Sequence, residues 1–151
     1  MRLLASTDIA LRALMLLANE PPGQPLNVGK LSRLLGNLSR NHMHKIVQNL
    51  AAMGLVHTIR GNGGGVVLAV APGTIKIGQL VRELEGEQAV VECFRADGGN
   101  CTLTVGCRLR GYLRNARDDF YRDLDQHTIA DCLPQRSTKS PRARQPHAPR
   151  Q

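Results

Sequence analysis

The punctuation between residues 27 and 70 constrains this chain more than any other feature. Asn27 precedes an apolar helical pattern over residues 28–35, and Gly36-Asn37-Leu38 interrupts it. Ser39 stands before a second helical pattern, residues 40–53, in which Met43, Ile46, Val47 and Leu50 recur on one face. Gly54 stops that helix. The period then changes at once, because residues 55–59 and 66–70 read as strands around Arg60-Gly61-Asn62-Gly63-Gly64-Gly65. Two short helices joined by a Gly-containing turn and followed by a hairpin describe a winged helix-turn-helix. The glycine run leads into a strand, with no helix N-terminus to hold a phosphate, so it is not a nucleotide-cradling loop.

The outer face of the second helix carries Ser39, Arg40, Asn41, His44, Lys45 and Gln48, with His42 beside them. These side chains suit phosphates and base edges, and they gather at the end of the helix that enters a major groove. Arg60 and Asn62 fall at the tip of the hairpin, placed for sugar-phosphate backbone or minor groove. A solvated polar face would show the same residue types. The adjoining hairpin weighs toward double-stranded DNA.

Ahead of this unit, Ser6-Thr7-Asp8 offers capping side chains to a strongly apolar helix containing Ile9, Leu11, Ala13, Leu14, Leu16 and Leu17, ended by Pro21-Pro22-Gly23. Asp8 suits the first turn and stands four residues before Arg12, the spacing of a helical ion pair. Beyond the hairpin, Pro72-Gly73 breaks the chain. Ile77, Leu80, Val81 and Leu84 then mark a short amphipathic helix over residues 77–85. Leu109, Tyr112, Leu113, Ala116, Phe120 and Leu124 predict a long helix with a wide apolar stripe, suited to pairing with its symmetry mate or to packing within its own chain. A last short helix near Thr128 holds Cys132, read as a small buried apolar residue.

Between those two helices lie three of the four cysteines, Cys93, Cys101 and Cys107, in a loop containing Gly98-Gly99-Asn100 and Gly106. Glycines let a short loop fold back so that several sulfurs face one point. Three thiolates supply most of a four-ligand shell for an iron–sulfur cluster or for zinc. The spacings, C-x7-C and C-x5-C, lack the tight C-x2-C of zinc ribbons. By spacing alone an iron–sulfur cluster, zinc, a redox disulfide and plain thiols all stay open.

Composition narrows the setting. The chain has 151 residues, enough for one ordinary domain. Aromatics are 3%, so the core must come from Leu, Val, Ile, Ala and Met. Neither a signal peptide nor an apolar membrane span is visible, which points to the cytoplasm, where clustered cysteines more often bind metal or sense redox state than form structural disulfides. The net charge is +8, of which +5 lies after Pro134 on Arg136, Lys139, Arg142, Arg144 and Arg150. That stretch, rich in Pro, Arg and Gln, reads as a disordered basic tail. No C-x-x-C, H-E-x-x-H or G-x-S-x-G motif is present, and His42, His44, His57 and His127 have no clear catalytic partners, so an enzyme is not expected.

The sequence resembles a known family at five places. They are Thr7-Asp8 with Leu11-Arg12-Ala13-Leu14, Ser39-Arg40-Asn41-His42-Met43 with Lys45-Ile46, and Arg60-Gly61 with Gly64-Gly65. Ile77-Gly78 and Val81-Arg82-Glu83-Leu84-Glu85 complete the set. In order and spacing these resemble the Rrf-type bacterial winged-helix regulators, over about residues 1–133, and most of all their nitric-oxide-sensitive repressors. The resemblance implies a homodimer on a palindromic operator. It also implies an iron–sulfur cluster on Cys93, Cys101 and Cys107, with 4Fe–4S as the working assignment and 2Fe–2S as the alternative, destroyed by nitric oxide. Relatives of the iron–sulfur biogenesis type carry a His where this chain has Arg110. In the nitric-oxide sensors an Asp matching Asp8 can complete the shell from the other subunit.

The expected fold is therefore mostly α with a small β-hairpin wing. Residues 1–72 form the winged helix-turn-helix, residues 73–133 the cluster loop and long dimerisation helix, and residues 134–151 the basic tail.

Overall fold

The computed structural model describes residues 3–86, 89–103 and 105–134. The expected disordered tail lies outside the described residues. Among the described residues five α-helices and one hairpin occur in chain order: α1 (Ala5–Asn19), α2 (Val28–Leu34), α3 (Arg40–Ala52), β1 (Val56–Ile59), β2 (Gly65–Leu68), α4 (Ile77–Glu85) and α5 (Arg108–Leu124). The strands pair antiparallel in the register Val56 to Leu68 through Ile59 to Gly65. The fold is mostly α with a two-stranded wing, as the change of period predicts.

One apolar core joins these pieces. Leu14 of α1, Leu31 of α2, Met43 and Leu50 of α3, Val66 of β2, Val81 of α4 and Ile129 are all shut from solvent. Each such Leu or Met side chain contributes about 1.5–3 kcal/mol through burial. Leu26 forms a bridge with Val66, its N–H donating to the Val66 carbonyl at 3.0 Å and its carbonyl accepting in return at 2.9 Å. This bridge ties the wing to the segment that enters α2. Gly65 must be glycine there, because a Cβ would overlap the Leu26 carbonyl oxygen.

Three expectations need correction. Ser6-Thr7-Asp8 does not cap α1: the helix begins at Ala5, and its N-cap, Leu4, makes no side-chain cap bond. Thr7 instead lies on the buried stripe with Ala10, Leu14 and Leu17, at helical spacings, so its side chain is held inside and its hydroxyl finds no partner among the described residues. The second strand stops at Leu68 rather than residue 70, and Val70 is exposed. Cys132 is exposed in a short 3-10 turn, Ala130–Cys132, because Ile129 takes the core position.

α5 meets the core only at its C-terminal end, through partly buried Phe120, Tyr121 and Leu124. The contact with α4 is close because Gly78 allows it: a Cβ there would overlap the Tyr121 carbonyl oxygen and the Asp125 carboxylate. Arg82 of α4 pairs with Asp125 and lies 5.1 Å from the Tyr121 ring centroid. Along the rest of α5 no residue is fully buried.

Candidate functional site

Helix α3, the expected recognition helix, is set by three local devices. Gly36 and Asn37 adopt positive φ (98° and 57°), which turns the chain sharply after α2. Ser32, buried on α2, donates its hydroxyl to the Leu38 carbonyl, and the Leu38 N–H returns a bond to the Ser32 carbonyl at 3.2 Å. Ser39 then caps α3, its hydroxyl accepting from the His42 N–H at 3.2 Å. Sequence reasoning identifies Ser39 but misses Ser32, whose role depends on a contact across the turn.

These devices leave Arg40, Asn41, His44, Lys45 and Gln48 exposed, opposite the buried Met43, Ile46, Val47 and Leu50. At 3.6 residues per turn the exposed set spans an arc of about 140°. His42 falls about 60° outside this arc, toward the buried Ile46, and is half-buried, so it is the least available of the helix candidates. No acidic residue occurs in α3, and its N-terminus adds the positive end of a helix dipole. Arg60 and Asn62 are exposed in the turn between the paired Ile59 and Gly65.

The cysteine loop is built differently. Cys93 lies in a 3-10 turn, Glu92–Phe94. Arg95 forms a bidentate pair with Asp97 (3.0 and 2.7 Å), and Asp97 also accepts from the Gly99 N–H at 3.0 Å. The Arg95 guanidinium and that N–H hold the Asp97 carboxyl below the usual carboxylate range. Glu92 reaches across to accept from the Asn100 N–H at 3.2 Å. Gly99, at φ +58°, lets the chain pass against the Glu92 carbonyl where a Cβ would overlap it. Cys107 is the N-cap residue of α5, without a side-chain cap bond, so a negatively charged group held there meets the positive end of the helix dipole. Arg117 of α5 lies 5.2 Å from the Phe94 ring centroid and ties the loop to that helix.

All three cysteines are half-buried, and none is in a disulfide. As donors they match an iron–sulfur cluster or zinc. Among the described residues, however, no three Cys, His, Asp or Glu side chains converge into a metal-holding group. Asp8 is exposed in the first turn of α1 and pairs with Arg12, the local role that its spacing suggests. Arg110 cannot serve as a ligand, since a guanidinium offers donors only.

Three comparisons bear on these features. The family described as "Rrf2: Iron-dependent Transcriptional regulator" matches residues 3–135. The chain belongs to the Rrf2 family. The HTH-type transcriptional regulator NsrR of Geobacillus kaustophilus is 41% identical over 138 residues, covering 91% of this chain and 93% of the relative. The protein of the same name from Halalkalibacterium halodurans is 38% identical over 133 residues, covering 88% and 90%. Among solved structures, the Bacillus subtilis global cysteine regulator CymR superposes with a TM-score of 0.70 at 26% identity, over 87% of this chain and 95% of that one.

As an Rrf2-family member the protein is a DNA-binding transcription regulator with NsrR-like sequence, and not an enzyme. Among the described residues no helix is long and apolar enough to cross a membrane.

Proposed function

We propose that this Rrf2-family regulator is a cytoplasmic homodimeric repressor whose operator binding depends on an iron–sulfur cluster sensitive to nitric oxide. The observation that carries the reading is the cysteine loop. Three half-buried thiols stand in one glycine-turned segment at the N-terminus of α5, in a chain similar to NsrR over most of its length. Cys93, Cys101 and Cys107 would hold the cluster, 4Fe–4S in the working assignment and 2Fe–2S in the alternative. Asp8 of the partner subunit would complete the shell. When bound, the cluster supplies iron that nitric oxide attacks.

The chain's own part is to couple that loop to DNA. Leu109 and Tyr112 are 61% and 60% exposed on the half of α5 that the core does not cover, and an apolar face of that kind suits a second copy. The other half of α5 is locked to α4 by Gly78 and by the Arg82–Asp125 pair, and α4 shares the core of the helix-turn-helix. Two recognition helices must lie about 34–36 Å apart to read successive major grooves. The dimer seam therefore sets the spacing, and a ligand donated across it would tie that spacing to the loop. Residues 1–72 would supply the reading head, with Ser39, Arg40, Asn41, His42, His44, Lys45, Arg60 and Asn62 as contacts, and residues 73–133 the sensor and seam.

The test is the visible absorption and the metal and sulfide content of the anaerobically purified chain. Iron, acid-labile sulfide and a chromophore that disappears in Cys93→Ala, Cys101→Ala and Cys107→Ala support the reading. A colourless protein with zinc, or with no metal, contradicts it. A regulator of the same fold that senses redox state or iron–sulfur supply uses the same thiols, and the "iron-dependent" family description favours it as the second reading. Insensitivity of the DNA complex to nitric oxide would select it.

A further inference from the structure

Helix α5 carries five arginines, and four of them are accounted for by a carboxylate or by water. Arg117 pairs with Asp118 and Arg122 with Asp119, while Arg108 and Arg114 are exposed. Arg110 differs. It is half-buried, its Nε is shut from solvent, and that N–H has no acceptor among the described residues. A charged donor denied both water and a partner costs free energy until an acceptor is supplied.

The position of Arg110 says where that acceptor belongs. Cys107 is the N-cap of α5, so Arg110 is the third residue of the helix, close to one turn further on. Long side chains in a helix lean back toward its N-terminus, over the turn before their own Cα. Arg110 therefore leans toward Cys107. Two turns along the same face, Arg117 lies 5.2 Å from the ring centroid of Phe94, the residue after Cys93. The face of α5 that carries Arg110 is thus the face that meets the cysteine loop. The loop's own guanidinium, Arg95, is already held by Asp97 and Glu92, and the first turn of α5 has no acid. What the loop offers Arg110 is sulfur. A thiol is a weak acceptor, but a metal-bound thiolate carries the negative charge that makes a strong partner for a guanidinium.

We propose that Arg110 is a positioning residue for the group held by Cys93, Cys101 and Cys107, donating its Nε–H to sulfur and offsetting the negative charge that three thiolates gather. The inference rests on the iron–sulfur reading and gives that site a partner outside its ligand shell. Such partners tune a cluster through hydrogen bonds and charge at its sulfurs. Loading gives the orphaned N–H its acceptor, so Arg110 stabilises the loaded chain and not the metal-free one.

The experiment uses the full chain, purified anaerobically, with one portion then stripped of metal. Arg110→Leu removes the charge and the donor, Arg110→Lys keeps the charge, and Arg114→Leu removes an exposed charge from the same helix. Stripping by EDTA, followed by visible absorption, is expected to run about 10–100-fold faster in Arg110→Leu than in the parent protein, the usual loss when a partner outside the ligand shell goes. Arg110→Lys should fall between the two, and Arg114→Leu should match the parent. In urea, metal-free Arg110→Leu should unfold at or above the parent midpoint, because it has lost an unsatisfied donor. Equal stripping rates in Arg110→Leu and the parent overturn the proposal, as does an acceleration of the same size in Arg114→Leu. A metal-free Arg110→Leu that unfolds below the parent midpoint, or does not fold, also overturns it, since Arg110 then supports the fold itself. A parent chain without iron or acid-labile sulfide contradicts the cluster reading and overturns this proposal with it, whereas unchanged stripping of an iron-bearing Arg110→Leu overturns the proposal alone.

Discussion

The reading head and the cysteine loop carry comparable numbers of specific sequence signals, yet they are stabilised in opposite ways. In the head, the starts of α2 and α3 and the turn between them are closed by side chains of the head itself: Asn27 accepts from Gly29, Ser39 from His42, and Ser32 fastens Leu38. Behind those bonds lies a core with Leu14, Leu31, Met43 and Val66 shut from solvent. The loop closes with surface carboxylates, Asp97 and Glu92, and presents apolar side chains outward, with Leu103 71% and Val105 99% exposed. The head therefore holds itself together by burial, whereas the loop has polar closures and thiols and little of its own to bury. Metal binding adds folding free energy to segments of that kind.

The largest effects of substitution should fall in the core of the head. Met43→Ala and Leu14→Ala should each lose about 2–5 kcal/mol in denaturant unfolding. Leu103→Ala and Val105→Ala should stay within about 0.5 kcal/mol of the parent protein prepared without metal. A loop variant as damaging as a core variant would show that the loop is packed after all.

Gly78→Ala tests the junction between the two regions. The added methyl meets the Tyr121 carbonyl and the Asp125 carboxylate, so urea unfolding should show a loss of about 1–3 kcal/mol from overpacking. Of similar size is the expected effect on DNA. Arg40→Ala or Asn41→Ala should cost about 1–3 kcal/mol at the preferred site and relax preference at one position, while Lys45→Ala weakens all sequences alike. If Arg40→Ala reduces preferred and random duplex affinity equally, Arg40 contacts phosphate.

The smallest effect is electrostatic and has one sign in the turn after α5 and in the loop. Asp131 accepts from the Thr128 hydroxyl and N–H, each at 2.8 Å, and these bonds hold its carboxyl below its ordinary 3.8. A depressed folded value means that the unfolded chain binds the proton more readily. The stabilisation is present above 3.8 and is lost as pH falls through the lower folded value. Asp131→Asn should therefore be less stable near neutrality and converge with the parent protein in acid. Asp97→Asn should behave likewise within the loop, because its partners Arg95 and the Gly99 N–H act in the same direction. Thermal melts across an acid pH series read both.

Much of the head is legible in the sequence because its signals act over a few residues. Asn27, Ser39 and Gly54 mark helix ends by their own chemistry, and the change from helical to strand period locates the wing. The start of α1 misleads because Ser6-Thr7-Asp8 has capping chemistry, whereas burial of Thr7 draws that turn into the helix. Ser32, the Leu26–Val66 bridge and the close approach at Gly78 act between segments and have no local signature. In the loop the donors are plain from sequence. Their convergence is not, and among the described residues no three such donors come together.

Control of DNA binding by the cluster is decided by an anaerobic nitric-oxide titration of the full chain on a duplex that the protein itself has selected from a random library. Visible absorption and DNA mobility are read from the same samples. Iron–sulfur absorption and tight binding should fall together, with the same midpoint, and Asp8→Asn should shift the rate of both. Tight binding that persists after the absorption is bleached would contradict such control.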